Sequence, residues 1–253
     1  MPLRLDPTFR EQLGTRPLIG MWVTSGSPVV AEICAGSGLD WLLLDTEHTP
    51  TGLETVQSLL QTIAAYPITP MVRAPSGDVV ALKQLLDLGA QNLLVPMVDS
   101  AEEAEAVVRA VRYPPRGVRG VGSALSRSAR WNRVEGYLTN ADEHTSLFVQ
   151  IESTAGVAAA AAIAAVDGVD GVFVGPSDLA ASMGLLGQQT HPDVTAAVVG
   201  TFEAVRAQGK PVGVNAFDPA QAQRYLDAGA SFVLVGADVT LLAQGSEALA
   251  RRH

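Results

Sequence analysis

The chain has 253 residues, 47% of them hydrophobic and 17% charged, with a formal net charge of −9. Such a composition buries a substantial core without help, and the acidity argues against a nucleic-acid or anionic-membrane surface, which needs a basic patch to displace counterions. Cys34 is the sole cysteine, so an intrachain disulfide and a zinc site built on several thiolates are both excluded.

The first residues, Met1-Pro-Leu-Arg-Leu-Asp-Pro-Thr8, lack the apolar core of a secretory signal. No run approaches the roughly 18 apolar residues of a membrane span. A soluble cytoplasmic protein is expected. Ile19 to Val23 is a short apolar run closed by Thr24-Ser-Gly-Ser-Pro28, and Val29 to Ala35 then predicts a helix ending near Gly36. Leu39 to Asp45 predicts a second strand, and Leu53, Val56, Leu60 and Ile63 form the apolar stripe of the helix after it. Ile68 to Arg73 is a third strand; Asp78 can cap the next helix, which Gly89 stops. A fourth strand is expected over Asn92 to Met97, with its helix marked by Ala104, Val107, Val108 and Val111.

Arg112 to Arg133 breaks this rhythm: it carries six arginines, Tyr113-Pro-Pro115 and three glycines, and no regular element fits it. Regularity returns with a fifth strand over Leu147 to Ile151 and an Ala-rich helix from Thr154 to Ala165. Gly171 to Val174 is the sixth strand and runs into Gly175-Pro-Ser-Asp178, which opens a short helix. A longer helix over Asp193 to Gln208, a strand over Pro211 to Val214, a helix over Ala220 to Ala228, a strand over Phe232 to Val235 and a last helix from about Thr240 complete the chain. Eight strand–helix alternations with short connections predict one domain over residues 1–253, an α/β fold closed as a (β/α)8 TIM barrel. A doubly wound open sheet is the alternative, but the Gly-rich dinucleotide fingerprint after the first strand is missing.

In a barrel the carboxyl ends of the strands converge on one face, where catalytic groups sit. Here those ends carry Asp45, Glu47 and His48, then Arg73, then Gln150 and Glu152, then Ser177 and Asp178. Charged groups gathered from four strands above an apolar core carry a desolvation cost that stability alone does not explain. Glu152 and Asp178 follow neighbouring strands, so their carboxylates can share a divalent ion such as Mg²⁺ or Mn²⁺, water and substrate completing the octahedron. Two carboxylates also fit plain helix caps. A 2-oxo acid suits the site: its carboxylate lies on the Ser177 and Asp178 amides, its oxygens chelate the metal, and Arg73 hydrogen-bonds the ketone and the enolate it becomes. His48 is the proton carrier, with Asp45 placed to orient its ring. Glu47 either bonds a water near the metal or braces the loop. Lys83 falls inside a helix and Lys210 before a strand, so neither is placed for a Schiff base, and no Gly-x-Ser-x-Gly turn supports a serine hydrolase. His144, His191 and His253 are expected at the surface.

The stretches Trp41-Leu-Leu-Leu-Asp-Thr-Glu-His48, Val72-Arg73-Ala, Val95-Pro-Met97, Arg112-Tyr-Pro-Pro-Arg-Gly-Val-Arg-Gly120, Gln150-Ile-Glu152 and Val174-Gly-Pro-Ser-Asp-Leu179 resemble the HpcH/HpaI family of metal-dependent pyruvate aldolases, and within it most resemble the 4-hydroxy-2-oxoheptanedioate aldolases. The likeness runs from about Leu18 to Leu242. It implies that Glu152 and Asp178 hold a divalent cation (Mg²⁺, Mn²⁺ or Co²⁺), that Arg73 binds the pyruvate oxygen, and that His48, paired with Asp45, works as base through a metal-bound water. Gln150 and the Ser177 amide line the pyruvate site on the same reading. It also implies a homo-oligomer, usually a hexamer built from dimers, with the last helix exchanged with a neighbour. The implied reaction is reversible cleavage of a 4-hydroxy-2-oxo acid to pyruvate and an aldehyde, through a metal-bound pyruvate enolate. Two rivals stand beside it: an acyl-CoA carbon–carbon lyase of the citrate-lyase β-subunit type, for which only the arginine stretch offers a basic surface, and a catalytically silent barrel. Arg116, Arg119, Arg127 and Arg130 are read equally as a solvated or interfacial segment and as substrate contacts.

Overall fold

The computed structural model describes residues 3–122 and 124–252. Eight parallel strands close into a barrel in sequence order: β1 (Leu18–Val23), β2 (Trp41–Asp45), β3 (Thr69–Arg73), β4 (Asn92–Val95), β5 (Ser146–Ile151), β6 (Gly171–Val174), β7 (Val212–Asn215) and β8 (Phe232–Ala237). The helices are α1 (Phe9–Gln12), α2 (Pro28–Ala35), α3 (Leu53–Ile63), α4 (Val79–Asp87), α5 (Ala101–Val111), α6 (Tyr137–Asn140), α7 (Thr154–Ala165), α8 (Pro176–Ser182), α9 (Pro192–Ala207), α10 (Pro219–Asp227) and α11 (Asp238–Ala250).

Strands buried on both faces must be apolar at every position, which is why they read as continuous runs. Side chains still alternate between two destinations. In β2, Leu42 and Leu44 pack outward on the helices, while Trp41 and Leu43 face the interior with Met71, Leu94, Phe148, Phe173 and Phe232. The same alternation brings Asp45 to the interior side at the carboxyl end. The helices start where the sequence supplies caps: Ser27, Asp78, Ser100, Ser153 and Asp218 each accept a hydrogen bond from a first-turn amide.

The amino-terminal end of the barrel is closed by α1, a single turn that the sequence pattern does not announce. Phe9 is fully buried, with its ring 5.1 Å from Trp41, 5.4 Å from Phe148 and 5.3 Å from Phe232 between centroids. Its amide donates to Asn92 Oδ1 at 2.7 Å. Gly213 leaves room for this aromatic plug, since a Cβ there would sit inside the ring of Phe232. The fourth strand ends at Val95 rather than Met97: Pro96 has no N–H to donate, and Met97 takes a left-handed conformation with φ 55°. The described residues of the Arg112 to Arg133 stretch are irregular, as expected, but α6 and a 3₁₀ turn over Ala141–His144 follow it unannounced.

Candidate active site

Strand register sets the first contact of the site. Asp45 and Arg73 are paired residues at the carboxyl ends of β2 and β3, so their side chains emerge together. The Asp45 carboxylate accepts from Arg73 on both oxygens, Nε to Oδ1 and Nη2 to Oδ2, each at 2.9 Å. Arg73 is 5% exposed and its guanidinium lies 4.3 Å from the centroid of the Trp22 ring, whose Nε1 donates to Asn215 Oδ1 at 2.7 Å. A fork bonded along one edge and stacked on one face is fixed in position. Nη1 stays uncommitted to Asp45. It lies 2.9 Å from Glu47 Oε2, a charge contact without hydrogen-bond alignment, and that buried oxygen has no hydrogen-bond partner among the described residues.

This geometry corrects one expectation. Asp45 makes no hydrogen bond to His48 in this structure: its oxygens accept from Arg73, and Oδ1 also accepts from the Glu47 amide at 3.0 Å. The charged neighbour of His48 is Glu47, with Nε2 to Oε2 at 3.9 Å, and the imidazole is largely exposed. Glu47, for which the sequence left two roles open, bridges the arginine and the histidine. Burial pushes its carboxyl up, against the pull of Arg73 and His48.

Across the barrel mouth Glu152, just beyond β5, is 2% exposed. Its Oε1 accepts from the Met97 amide at 3.0 Å and its Oε2 from the Gln150 side-chain amide. The left-handed turn at Met97, uncommon for a non-glycine residue, is what aims that N–H. Burial pushes Glu152 up to about 7; the Met97 bond opposes the shift, and the charges of Asp178 and Glu47 add to it. Gly175 lets the two side chains pass: a Cβ there would lie 2.6 Å from Glu152 Oε2 and 2.9 Å from Gln150 Nε2. Ser177 and Asp178 stand exposed on the first turn of α8. Asp178 raises the carboxyls of both Glu47 and Glu152, so the three acids share one field. No group of three or more His, Cys, Asp or Glu forms a metal cage among the described residues. The donor set is thus two carboxylates, Glu152 and Asp178, with unused acceptor capacity at Glu47 Oε2 and Gln150 Oε1. Hard oxygen donors gathered in one field, with burial disfavouring the charge of Glu152, fit a divalent cation whose remaining positions go to water and substrate.

Other expected residues lie elsewhere. The arginine stretch connects a helix to the next strand and so lies at the amino-terminal side of its own barrel. Arg119 is fully buried, 4.5 Å from the Tyr113 ring centroid and 3.3 Å from Asp87 Oδ1, and Arg116 pairs with Asp142 at 2.8 Å. Neither is a substrate contact in this barrel. Lys210 Nζ donates to Val169 O at 2.7 Å at that same end. His144 stacks on Tyr137, His191 caps α9 through the Asp193 amide, and His253 lies outside the described residues. Sequence reasoning missed Trp22, Met97, Gly175 and Asn215 as supports of the site. Asn215 ends β7 just as Asp45 ends β2, and Trp22 stands one residue before the end of β1, which was the available signal.

The family described as HpcH/HpaI aldolase/citrate lyase matches residues 18–245. The hydroxypyruvate/pyruvate aldolase of Deinococcus radiodurans is 51% identical, covering 98% of this chain and 91% of its own. The 4-hydroxy-2-oxo-heptane-1,7-dioate aldolase of Salmonella dublin is 52% identical, covering 96% and 93%. A crystal structure of a HpcH/HpaI aldolase/citrate lyase family protein from Burkholderia cenocepacia superposes with a TM-score of 0.92 at 39% identity, covering 96% of this chain and 97% of that one.

Proposed function

The chain belongs to the HpcH/HpaI aldolase/citrate lyase family, and from that premise we propose that it is a class II pyruvate aldolase, reversibly cleaving 4-hydroxy-2-oxo acids to pyruvate and an aldehyde. The names of relatives that span nearly the whole chain support a carbon–carbon lyase of this kind. The observation that carries the reading is the opposition of a fixed cation, Arg73, to the buried acid Glu152 and the exposed acid Asp178 across one barrel mouth.

In cleavage, a base takes the proton of the 4-hydroxyl, the bond between C3 and C4 breaks, and its electron pair passes toward the C2 oxygen as the aldehyde leaves. Arg73 meets that oxygen with Nη1, the edge that Asp45 leaves free, and stabilises its growing charge without reorganising. Asp45 is therefore the positioning residue of Arg73. His48, at the exposed rim, accepts the hydroxyl proton at a ring nitrogen and exchanges it with solvent, and Glu47 gives the imidazole a charged neighbour. The Ser177 amide and Gln150 bind the substrate's carboxylate end. Glu152 and Asp178 would hold the divalent cation, Mg²⁺, Mn²⁺ or Co²⁺, which when bound supplies Lewis-acid stabilisation of negative charge. Glu152 is oriented for that task by Met97 and Gln150.

The acyl-CoA alternative gains no support, because the arginines it needs lie at the far end of the barrel. No helix of the described residues is long and apolar enough to cross a membrane; a buried free thiol at Cys34 accords with a cytoplasmic enzyme. Val29 and Ile33 on α2 and Leu241, Leu242 and Leu249 on α11 are exposed apolar side chains. They support a homo-oligomer, a hexamer with α11 exchanged, and sedimentation as a monomer at micromolar concentration would refute it.

The roles are tested by a double-mutant cycle. Arg73→Ala should nearly abolish cleavage, and Asp45→Asn should cost about 10²–10³ in kcat/KM but add little on top of Arg73→Ala, since both act through one guanidinium. Additivity of Asp45→Asn with Arg73→Ala, together with none with His48→Ala, would return Asp45 to the histidine.

A further inference from the structure

The end of the barrel opposite the catalytic mouth holds a cavity of about 340 Å³ that the aldolase reading leaves unused. Its walls are the residues leading into β3 and β4, among them Tyr66, Ile68 and Gln91, with Ala64 at the end of α3 and the side chains of Arg127 and Arg130. Three other arginines of this segment have acidic partners, Arg112 with Asp142 and Asp167, Arg116 with Asp142 and Arg119 with Asp87, and Arg133 is exposed to solvent, its Nε donating to Arg130 O at 2.9 Å. Arg127 and Arg130 have backbone carbonyls instead, Arg127 Nη1 donating to Leu88 O at 3.0 Å and Arg130 Nη1 to Arg127 O at 2.7 Å. No carboxylate among the described residues pairs with either. Asp6, exposed at the mouth, is the acidic group that lines the cavity, and it acts on Arg130 only at longer range.

The two guanidinium groups are brought together rather than merely left there. The point where a Cβ of Gly89 would sit is 2.7 Å from Arg127 Nη1 and 3.1 Å from Arg130 Nη1, so both guanidinium groups occupy the room this glycine leaves, and its φ of +91° closes the end of α4. Arg130, Trp131 and Asn132 all take left-handed backbone conformations, with φ of 49°, 55° and 61°. Three such non-glycine residues in succession are unfavourable, and backbone of this kind persists where the surroundings enforce it. Burial lowers the pKa of both arginines, and the charge of Arg130 lowers that of Arg127 further. Two converging, half-buried cations with no paired carboxylate, and only Asp6 acting on Arg130 at longer range, are a cost to the fold that a dianion would lower.

We propose that this cavity is a binding site for a small dianion, a phosphorylated or dicarboxylic metabolite, with its two charges between Arg127 and Arg130 and its body against Tyr66 and Ile68. The site is separate from the catalytic mouth and does not depend on the assigned reaction.

The test is thermal unfolding of the full-length protein in sulfate, which stands for a phosphate group, and in succinate, each against sodium chloride of equal ionic strength. One of the two dianions at about 10 mM should raise the midpoint by roughly 2–6 °C in a saturable way, and which one does so assigns the ligand class. The rise should persist in Arg73→Ala and vanish in Arg127→Gln/Arg130→Gln. Because the double substitution is in a packed segment, Ala64→Glu serves as a second variant: it places a carboxylate at the cavity wall from an exposed position and should also abolish the rise. No rise with either dianion beyond that of chloride, a rise that survives Ala64→Glu, or one lost in Arg73→Ala would overturn the proposal.

Discussion

The buried carboxyl of Glu152 makes a sharp prediction about the cation-free protein. Its pKa rises from an ordinary 4.5 to about 7 on folding, chiefly through burial. Over that window the native state binds a proton that the unfolded chain has released, so stability falls as the pH rises from about 4.5 through 7. The full loss attached to this group is about 3 kcal/mol, or roughly 6–12 °C in the unfolding midpoint of a chain this long. Glu47 and Asp170 are also pushed up by burial, so the total pH dependence does not belong to Glu152 alone. The comparison is therefore between the protein and Glu152→Gln, each in EDTA, by urea unfolding at pH 5 and pH 8. The protein should lose about 2.5 kcal/mol more than the variant between those pH values. Added Mg²⁺ or Mn²⁺ should restore most of it at pH 8 and little at pH 5, where proton and cation compete for the same oxygens. Parallel pH dependences of the two proteins would refute the claim that Glu152 is buried at an energetic cost.

Two further substitutions probe the supports of the site. Gly175→Ala puts a methyl group 2.6 Å from Glu152 Oε2, and displacing that carboxylate should weaken cation affinity and cleavage together by about 10–100-fold; unchanged cation titrations would show that Gly175 is not needed for the passage. Phe9→Ala removes the plug beneath the barrel and should cost about 3–5 kcal/mol in urea unfolding, with KM and kcat of the folded protein near normal, since Phe9 faces the end opposite the chemistry.

The elements of this fold were readable because parallel strands buried on both sides admit only apolar residues, which gives Gly171–Val174 and Trp41–Asp45 unbroken runs with abrupt polar ends. The helix over Thr154–Ala165 was equally clear from the alanine run. Helix α1 was not, since one turn has no periodicity to read. The site residues were legible as a set but not as pairs. That Asp45 belongs to Arg73 follows from the register of β2 on β3, which no single sequence displays. The part played by Met97 rests on a backbone torsion, and that of Trp22 on the ring lying under a guanidinium brought from another strand.

The most direct test of the account is cleavage of a 4-hydroxy-2-oxo acid by protein stripped with EDTA. The rate should fall to background and return on adding Mg²⁺, Mn²⁺ or Co²⁺ in the protein with Glu152 intact, and should not return in Glu152→Gln. Cleavage at the untreated rate after stripping, or full recovery by the variant, would contradict it.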